Sequence, residues 1–336
     1  MKNYRIAIMG ATGAVGQQMI KVLEERNFPI SELRLLASSR SAGRKVPFKG
    51  GEIKIQELND DSFAGMDFVL GAVSNPLSMQ YAGKIVDSKA VFIDNSSAFR
   101  LNEDVPLVVP EINPDDARAN NGIISNPNCS TIITLTALSG ICRITPIRKM
   151  IASTYQAVSG AGVEGMNELE KQISDYCQGN PLVSNVFLTQ ILSNVIPMIG
   201  SKLENGYTTE EMKLQNEGRK ILHTPDLKVC CTCVRVPVMR SHSISVQLVT
   251  EDPLSVSEAC SAIANAPGCR LVTELDGRDF PTPLDTADQD LVYVGRVRRD
   301  LIDEDRGLSL WCCGDQIRKG AATNAVQIAM LLADLK

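Results

Sequence analysis

Hydrophobic residues in the first 125 or so positions come in short runs separated by stretches of helical period. "RIAIMG", "ELRLLAS", "DFVLGAV" and "AVFIDNS" each read as a strand ending on Gly, Ser or Asn. Between the first two, "AVGQQMIKVLEERN" repeats its apolar residues at helical spacing. Strands alternating with helices predict a parallel, doubly wound sheet that binds ligands at the carboxyl ends of its strands. From about residue 128 the pattern changes. A helix is expected from Cys129 through "STIITLTALSG", then a strand over "KMIASTYQAV" and a helix over "GVEGMNELEKQISDYC". After a less regular stretch around residues 181–206 come the helix "TEEMKLQNEGRKIL", the long strands "VCCTCVRVPVM" and "SISVQLVT", and the helix "SVSEACSAIANA". Two more strands, "LVYVGRVRRD" and "LSLWCCGD", follow closely, which implies a mixed or antiparallel sheet. The last segment, "GAATNAVQIAMLLADL", reads as an amphipathic helix that packs back on the first domain. No internal repeat interrupts this order.

At 336 residues the chain is too long for one ordinary core, so two domains are expected. The first spans residues 1–127 and 320–336, and the second, of α+β type, spans residues 128–319. A net charge of −5 with no basic block argues against nucleic acid as a partner. No apolar stretch approaches the length needed to cross a bilayer, so no membrane is expected. The start, "MKNYRIAIMG", enters a strand pattern rather than a signal peptide. Ten cysteines without a secretory signal then suggest reduced thiols in a cytoplasm. The clusters "VCCTCVRV" and "LWCCGD" contain no CxxC pair, and adjacent strand residues point to opposite faces. They read as small strand residues, and no metal site is expected.

One cysteine stands apart. In "SNPNCSTI", Cys129 follows a Pro-Asn turn and begins a helix, where the dipole and the unpaired N–H groups favour a thiolate. The alternative is a small buried cysteine, the commoner use of a free thiol. A histidine partner could come only from His223 or His242. His223 ends a helix before Thr-Pro, a usual place for a capping cation. His242 lies in a break between two long strands, with arginines close by, and is favoured as the base.

The first strand runs into "GATGAVG", with Gly10, Gly13 and Gly16 spaced GxxGxxG. Glycines between a strand and a helix permit a tight turn and let the backbone approach a pyrophosphate, as in a Rossmann-like dinucleotide site. After the second strand, "ASSRSAGRKV" offers Ser38, Ser39 and Arg40 where an NAD site would carry a carboxylate. A fixed positive charge among hydroxyls suits a 2′-phosphate, so NADP is favoured. Arg235 and Arg240 are candidates for gripping a carboxylate or phosphate. Arg235 interrupts an apolar strand, and a buried arginine calls for an anionic partner. Arg100, closing "DNSSAFR", stands among hydroxyls and an amide like part of an oxyanion site. Glu210 and Lys213 share a helix face, and by sequence alone an ordinary surface ion pair is the better reading of them.

Taken in order, "GATGAVG", "NSSAFR", "NPNCST", "YQAVSGAG", "EEMK", "RVPV" followed by "HS", and "GAATNAVQIA" resemble the aspartate-semialdehyde dehydrogenase family over nearly the whole chain. The shorter segment between "YQAVSGAG" and "EEMK" looks like its compact branch. The resemblance implies that the second domain is catalytic and dimerising, in a homodimer or homotetramer. It makes Cys129 the nucleophile that forms an acyl-thioester and His242 the acid/base. Arg235 would hold the substrate α-carboxylate, with Glu210 near the amino group and Gln156 positioning it. Arg100 and Lys213 would bind phosphate or the acyl phosphate. NADP would contact Gly10, Thr12, Gly13, Ala14, Val15, Ser38, Ser39, Arg40, Ser159, Gly160 and Asn324. The implied reaction is reversible reductive dephosphorylation of aspartyl phosphate to aspartate semialdehyde, in biosynthesis of lysine, threonine, methionine and isoleucine. One departure stands out, since Ser241 occupies a place where glycine is expected before the histidine. The alternatives are an N-acetyl-glutamyl-phosphate reductase, whose acylated substrate has no ammonium for Glu210, and a non-catalytic NADP-binding regulator.

Overall fold

Strand β1 (Tyr4–Met9) of the computed structural model, which describes residues 2–334, is apolar at every position from Ile6 to Met9, and all four are fully buried. An unbroken apolar run of this kind belongs to a strand covered on both faces, as in parallel sheets. Helix α1 (Ala14–Glu25) follows, then β2 (Ile30–Ala37), a hairpin of β3 (Lys45–Phe48) and β4 (Gly51–Lys54), and β5 (Gln56–Glu57). Next come β6 (Phe68–Gly71), α2 (Asn75–Asp87), β7 (Val91–Asp94) and β8 (Ile123–Ser125). Six strands form one parallel sheet in the order β5-β2-β1-β6-β7-β8. One core joins α1, the sheet and the C-terminal helix Asn324–Leu332, including Met19, Leu23, Ile6, Leu70, Ala325 and Ile328. The chain therefore leaves this unit at Asn128 and resumes it at Ala321.

The second unit, Cys129–Gly320, begins with α3 (Cys129–Cys142), whose residues Ser130 to Ile141 are all buried. A helix buried all round and free of charged residues is a core helix, and α3 packs on the sheet and neighbouring helices of its own unit. Then come β9 (Ile147–Gln156), α4 (Gly162–Gln178), α5 (Glu211–Ile221), β10 (Lys228–Arg235) and β11 (His242–Thr250). The unit closes with α6 (Val256–Ala264), β12 (Cys269–Leu271), α7 (Pro283–Thr286), β13 (Val292–Arg299) and β14 (Gly307–Gly314). Its sheet is mixed, in the order β10-β9-β11-β14-β13-β12. The outer pairs β10/β9 and β12/β13 are parallel and the three inner pairs antiparallel. In this register Arg235 pairs with Gln156 and His242 with Gly314, so the functional residues gather at one end of the sheet.

Candidate active site

In the first unit the turn after β1 is shaped by excluded volume. Gly10 has φ +77°, and a Cβ there would come within 2.2 Å of the Ala72 carbonyl oxygen. Gly13 is the N-cap of α1, with no side-chain cap on the helix end and no acidic residue in its first turn. Thr12, Ala14 and Val15 are partly exposed around it. Backbone N–H groups left uncapped at a helix N-terminus suit the pyrophosphate of a dinucleotide. Ser38, Ser39 and Arg40 lie exposed in a short turn at the carboxyl end of β2. Asn324 is fully buried and faces inward: its Nδ2 donates to Val108 O (3.0 Å) and Asn126 Oδ1 (2.7 Å). Asn126 in turn donates to Asn95 Oδ1 at 2.8 Å. Arg100, also buried, donates from Nε to Asn126 O (3.0 Å) and from Nη2 to Asn95 O (2.8 Å). Asn324 thus orders the loop that orients Arg100.

The second unit holds a cup of side chains. Cys129 is the first residue of α3, and its Sγ lies 3.5 Å from His242 Nε2. His242 opens β11 and is fully buried, and its Nδ1 accepts the Ala157 N–H at 3.0 Å. Burial, with Arg235 adding like charge, lowers the His242 pKa to about 3, so the ring is neutral at physiological pH. Arg235, 7% exposed at the end of β10, donates from Nη1 to Ala157 O at 2.6 Å, and its guanidinium lies 5.8 Å from the Phe187 ring centre. Among the described residues no carboxylate lies within salt-bridge distance of it. Burial pulls its pKa down, while the negative charge of Cys129 and Glu210 opposes that. Gln156 donates to Glu210 Oε1 (3.3 Å), and Lys213 reaches Glu210 Oε2 (2.7 Å). The Glu210–Lys213 pair is therefore tied into the cup rather than left as a surface pair. A pocket of about 180 Å³ opens beside Arg235, walled by Phe187, Ile196 and Met198.

Ser159 and Gly160 belong to the turn Val158–Ala161 beside this cup. A Cβ on Gly160 would sit 2.6 Å from Arg235 Nη1 and 3.4 Å from His242 Nε2. Glycine there keeps the space over both groups open. Ser241 is fully buried with φ +78°, the left-handed region where glycine is at ease. Its hydroxyl bonds the Thr286 hydroxyl and its N–H donates to Gln316 Oε1 at 2.8 Å, which hold this residue in place. Gln316 Nε2 also reaches Ser159 Oγ. Neither Gln316 nor Thr286 was flagged by the sequence, because neither stands in a periodic or motif-like context.

Arg240 does not join the cup. Its Nε lies 2.5 Å from the fully buried Asp315 and its Nη2 3.4 Å from Asp288, so internal carboxylates occupy it as a structural cation. Arg235, by contrast, has no carboxylate within salt-bridge distance among the described residues, so the anionic partner expected for it from the sequence is not found there. His223 sits just beyond α5 at φ +52°, while the histidine against Cys129 is His242. Burial pushes the Cys142 and Cys313 thiols up to about 12 and keeps them protonated.

A thiol facing a histidine, in a unit that follows a dinucleotide-type sheet, defines a thiol-dependent nicotinamide oxidoreductase. Family profiles narrow the class. "Semialdehyde dehydrogenase, NAD binding domain" matches residues 5–120 and "Semialdehyde dehydrogenase, dimerisation domain" matches residues 138–319. An aspartate-semialdehyde dehydrogenase of Aquifex aeolicus is 47% identical over 98% of this chain and 98% of its own length. The crystal structure of aspartate semialdehyde dehydrogenase II of Vibrio cholerae, complexed with ASA, superposes with TM-score 0.95 at 42% identity, covering 99% of each chain. The Candida albicans enzyme, solved with NADP, gives TM-score 0.75 at 25% identity, again over 99% of each chain. The chain belongs to the aspartate-semialdehyde dehydrogenase family.

Proposed function

We propose that this chain is an NADP-dependent aspartate-semialdehyde dehydrogenase that reduces aspartyl phosphate to aspartate semialdehyde through a thioester on Cys129. The observation that carries this reading is the cup itself: Cys129 Sγ 3.5 Å from His242 Nε2, beside a buried arginine with no carboxylate within salt-bridge distance among the described residues. The Cys129 thiolate, favoured by the helix N-terminus and by Arg235, attacks the acyl carbon. Arg235 grips the α-carboxylate, Glu210 takes the ammonium, and Gln156 fixes Glu210. Arg100 and Lys213 receive the phosphate. When bound, the nicotinamide supplies or accepts the hydride. The turn Gly10–Val15 cradles its pyrophosphate, and Ser38, Ser39 and Arg40 favour the 2′-phosphate of NADP because no carboxylate stands among residues 38–44 to repel it. Ser159 and Gly160 border the reacting face.

The same reading makes the protein a cytoplasmic homo-oligomer. All ten cysteines are free thiols, as a reducing compartment requires. The outer face of the second sheet carries Ile151 and Tyr155 at 52% and 39% exposure, suitable for a second copy. The test is NADPH formation from aspartate semialdehyde, which should require phosphate. Turnover of N-acetylated glutamate semialdehyde in its place would overturn the substrate assignment.

A further inference from the structure

We propose that Phe187 is a positioning residue for the substrate: its ring fixes the plane of the Arg235 guanidinium, and α4 holds Phe187 there through Glu168. The proposal deepens the reading above and rests on Arg235 gripping the α-carboxylate. Among the described residues that guanidinium makes one hydrogen bond, from Nη1 to Ala157 O at 2.6 Å. A planar group can swing about a single bond, whereas a two-point grip on a carboxylate needs both donors in a set plane. The Phe187 ring centre lies 5.8 Å from the guanidinium carbon, within the range of cation–π attraction. A ring face holds the cation without using up its N–H groups. Arg240 shows the other outcome, because Asp288 and Asp315 meet its charge inside the protein. A carboxylate beside Arg235 would steady it too, but would compete with the substrate.

Phe187 lies outside any helix or strand, so its ring needs an anchor from elsewhere. One face of α4 supplies it. Glu168, 7% exposed, accepts the Asn185 and Val186 N–H groups on Oε2 (2.7 and 2.5 Å) and the Phe187 N–H on Oε1 (3.4 Å). A buried carboxylate is costly unless hydrogen-bonded, and here three consecutive backbone donors ending at Phe187 meet it. One turn further on, Gln172 Oε1 accepts the Ile191 and Leu192 N–H groups (3.1 and 2.9 Å), and its Nε2 donates to Val183 O (2.9 Å). One turn earlier stands Gly165, where a Cβ would come within 3.1 Å of the Phe187 ring. Positions 165, 168 and 172 share a helix face. The same stretch is also tied to the end of β10, since Ile196 and Arg235 exchange both backbone hydrogen bonds at 2.9 Å. Val158, Leu169, Ile191 and Ile196 form a small core with Phe187 packed against it. The ring therefore reaches Arg235 on a support built from two sides.

Steady-state kinetics in the NADPH-forming direction test this. Phe187→Leu keeps an apolar wall but removes the ring face. It should raise KM for aspartate semialdehyde about tenfold, while kcat and the KM for phosphate change by less than about twofold. Phe187→Tyr restores the ring face and should bring that KM back to within about twofold of the wild type. Glu168→Ala should raise the same KM, and in the double variant with Phe187→Leu it should add almost nothing, because both act through one ring. An unchanged KM in Phe187→Leu, a Phe187→Tyr no better than Phe187→Leu, or fully additive effects of Glu168→Ala and Phe187→Leu overturns the proposal. Urea unfolding midpoints check that each variant is folded, and if Glu168→Ala is not, the two Phe187 variants decide alone. Failure of the underlying reading looks different: Arg235→Lys itself would leave the KM for aspartate semialdehyde unchanged, and the role of Phe187 would fall with it.

Discussion

The glycine turn of the first unit and the cup of the second meet charged ligands with different materials. The turn offers backbone, with Gly10 forbidding a side chain where Ala72 crowds it and α1 leaving its first N–H groups uncapped. The cup offers side chains from α3, β9, β10, β11 and the start of α5, of which Gln156, Arg235 and His242 are buried and held by hydrogen bonds. A backbone site depends on the space around a few consecutive residues. A convergent site depends on the register of strands far apart in sequence, so changes there should alter chemistry with little change in fold. Changes in the turn should do the reverse.

The largest effect expected on the chemistry side is Cys129→Ser, which should lower kcat by about 10³ or more because a hydroxyl is a far weaker nucleophile than a thiolate. Its unfolding midpoint should match the wild type. Mass spectrometry during turnover with aspartyl phosphate should find the acyl adduct on the Cys129 peptide and lose it when NADPH is added. On the turn side, Gly10→Ala combines a left-handed φ with a clash against Ala72 O and should cost about 3 kcal/mol of stability in urea unfolding. A variant as stable as wild type would sink the distinction between the two regions.

Two arginines sharpen it further. Arg235→Lys keeps charge but loses the fork, and should raise KM for aspartate semialdehyde about ten- to a hundredfold with little change in the phosphate requirement. Arg40→Ala should weaken NADP by about tenfold and NAD hardly at all, read by titration of each cofactor. Equal weakening would place Arg40 away from the 2′-phosphate. The smallest effect is expected at Ser241→Gly. Relief of the left-handed backbone and loss of the bond to Thr286 oppose each other, so stability should move by less than about 1 kcal/mol and kcat should hold.

Much of this was legible in the sequence where a feature was local. The apolar run of β1, the glycines after it and Cys129 at the head of α3 all depend on near neighbours. The hairpin β3–β4 escaped notice because its strands are four residues each, too short for a period to show. The final helix was read from "GAATNAV", yet its opening residues Arg318–Thr323 form a wider π turn before Asn324. Arg235 and Arg240 looked alike because the carboxylates that separate them, Asp288 and Asp315, lie on later segments. The Ala157 N–H that fixes the His242 ring has no signature in a sequence at all, since every residue but proline carries that donor.

The pairing of Arg235 with Gln156, and of His242 with Gly314, has a consequence for how the protein becomes active as it folds. Helices such as α3 and α5 can form from local contacts within microseconds, but these strand pairs each close a loop of many tens of residues. Cys129, His242 and Arg235 therefore cannot meet until the slow, non-local ladders are complete. In refolding from urea, helical circular dichroism should return ahead of enzyme activity, and the catalytic cup should be among the last parts of the second unit to take shape.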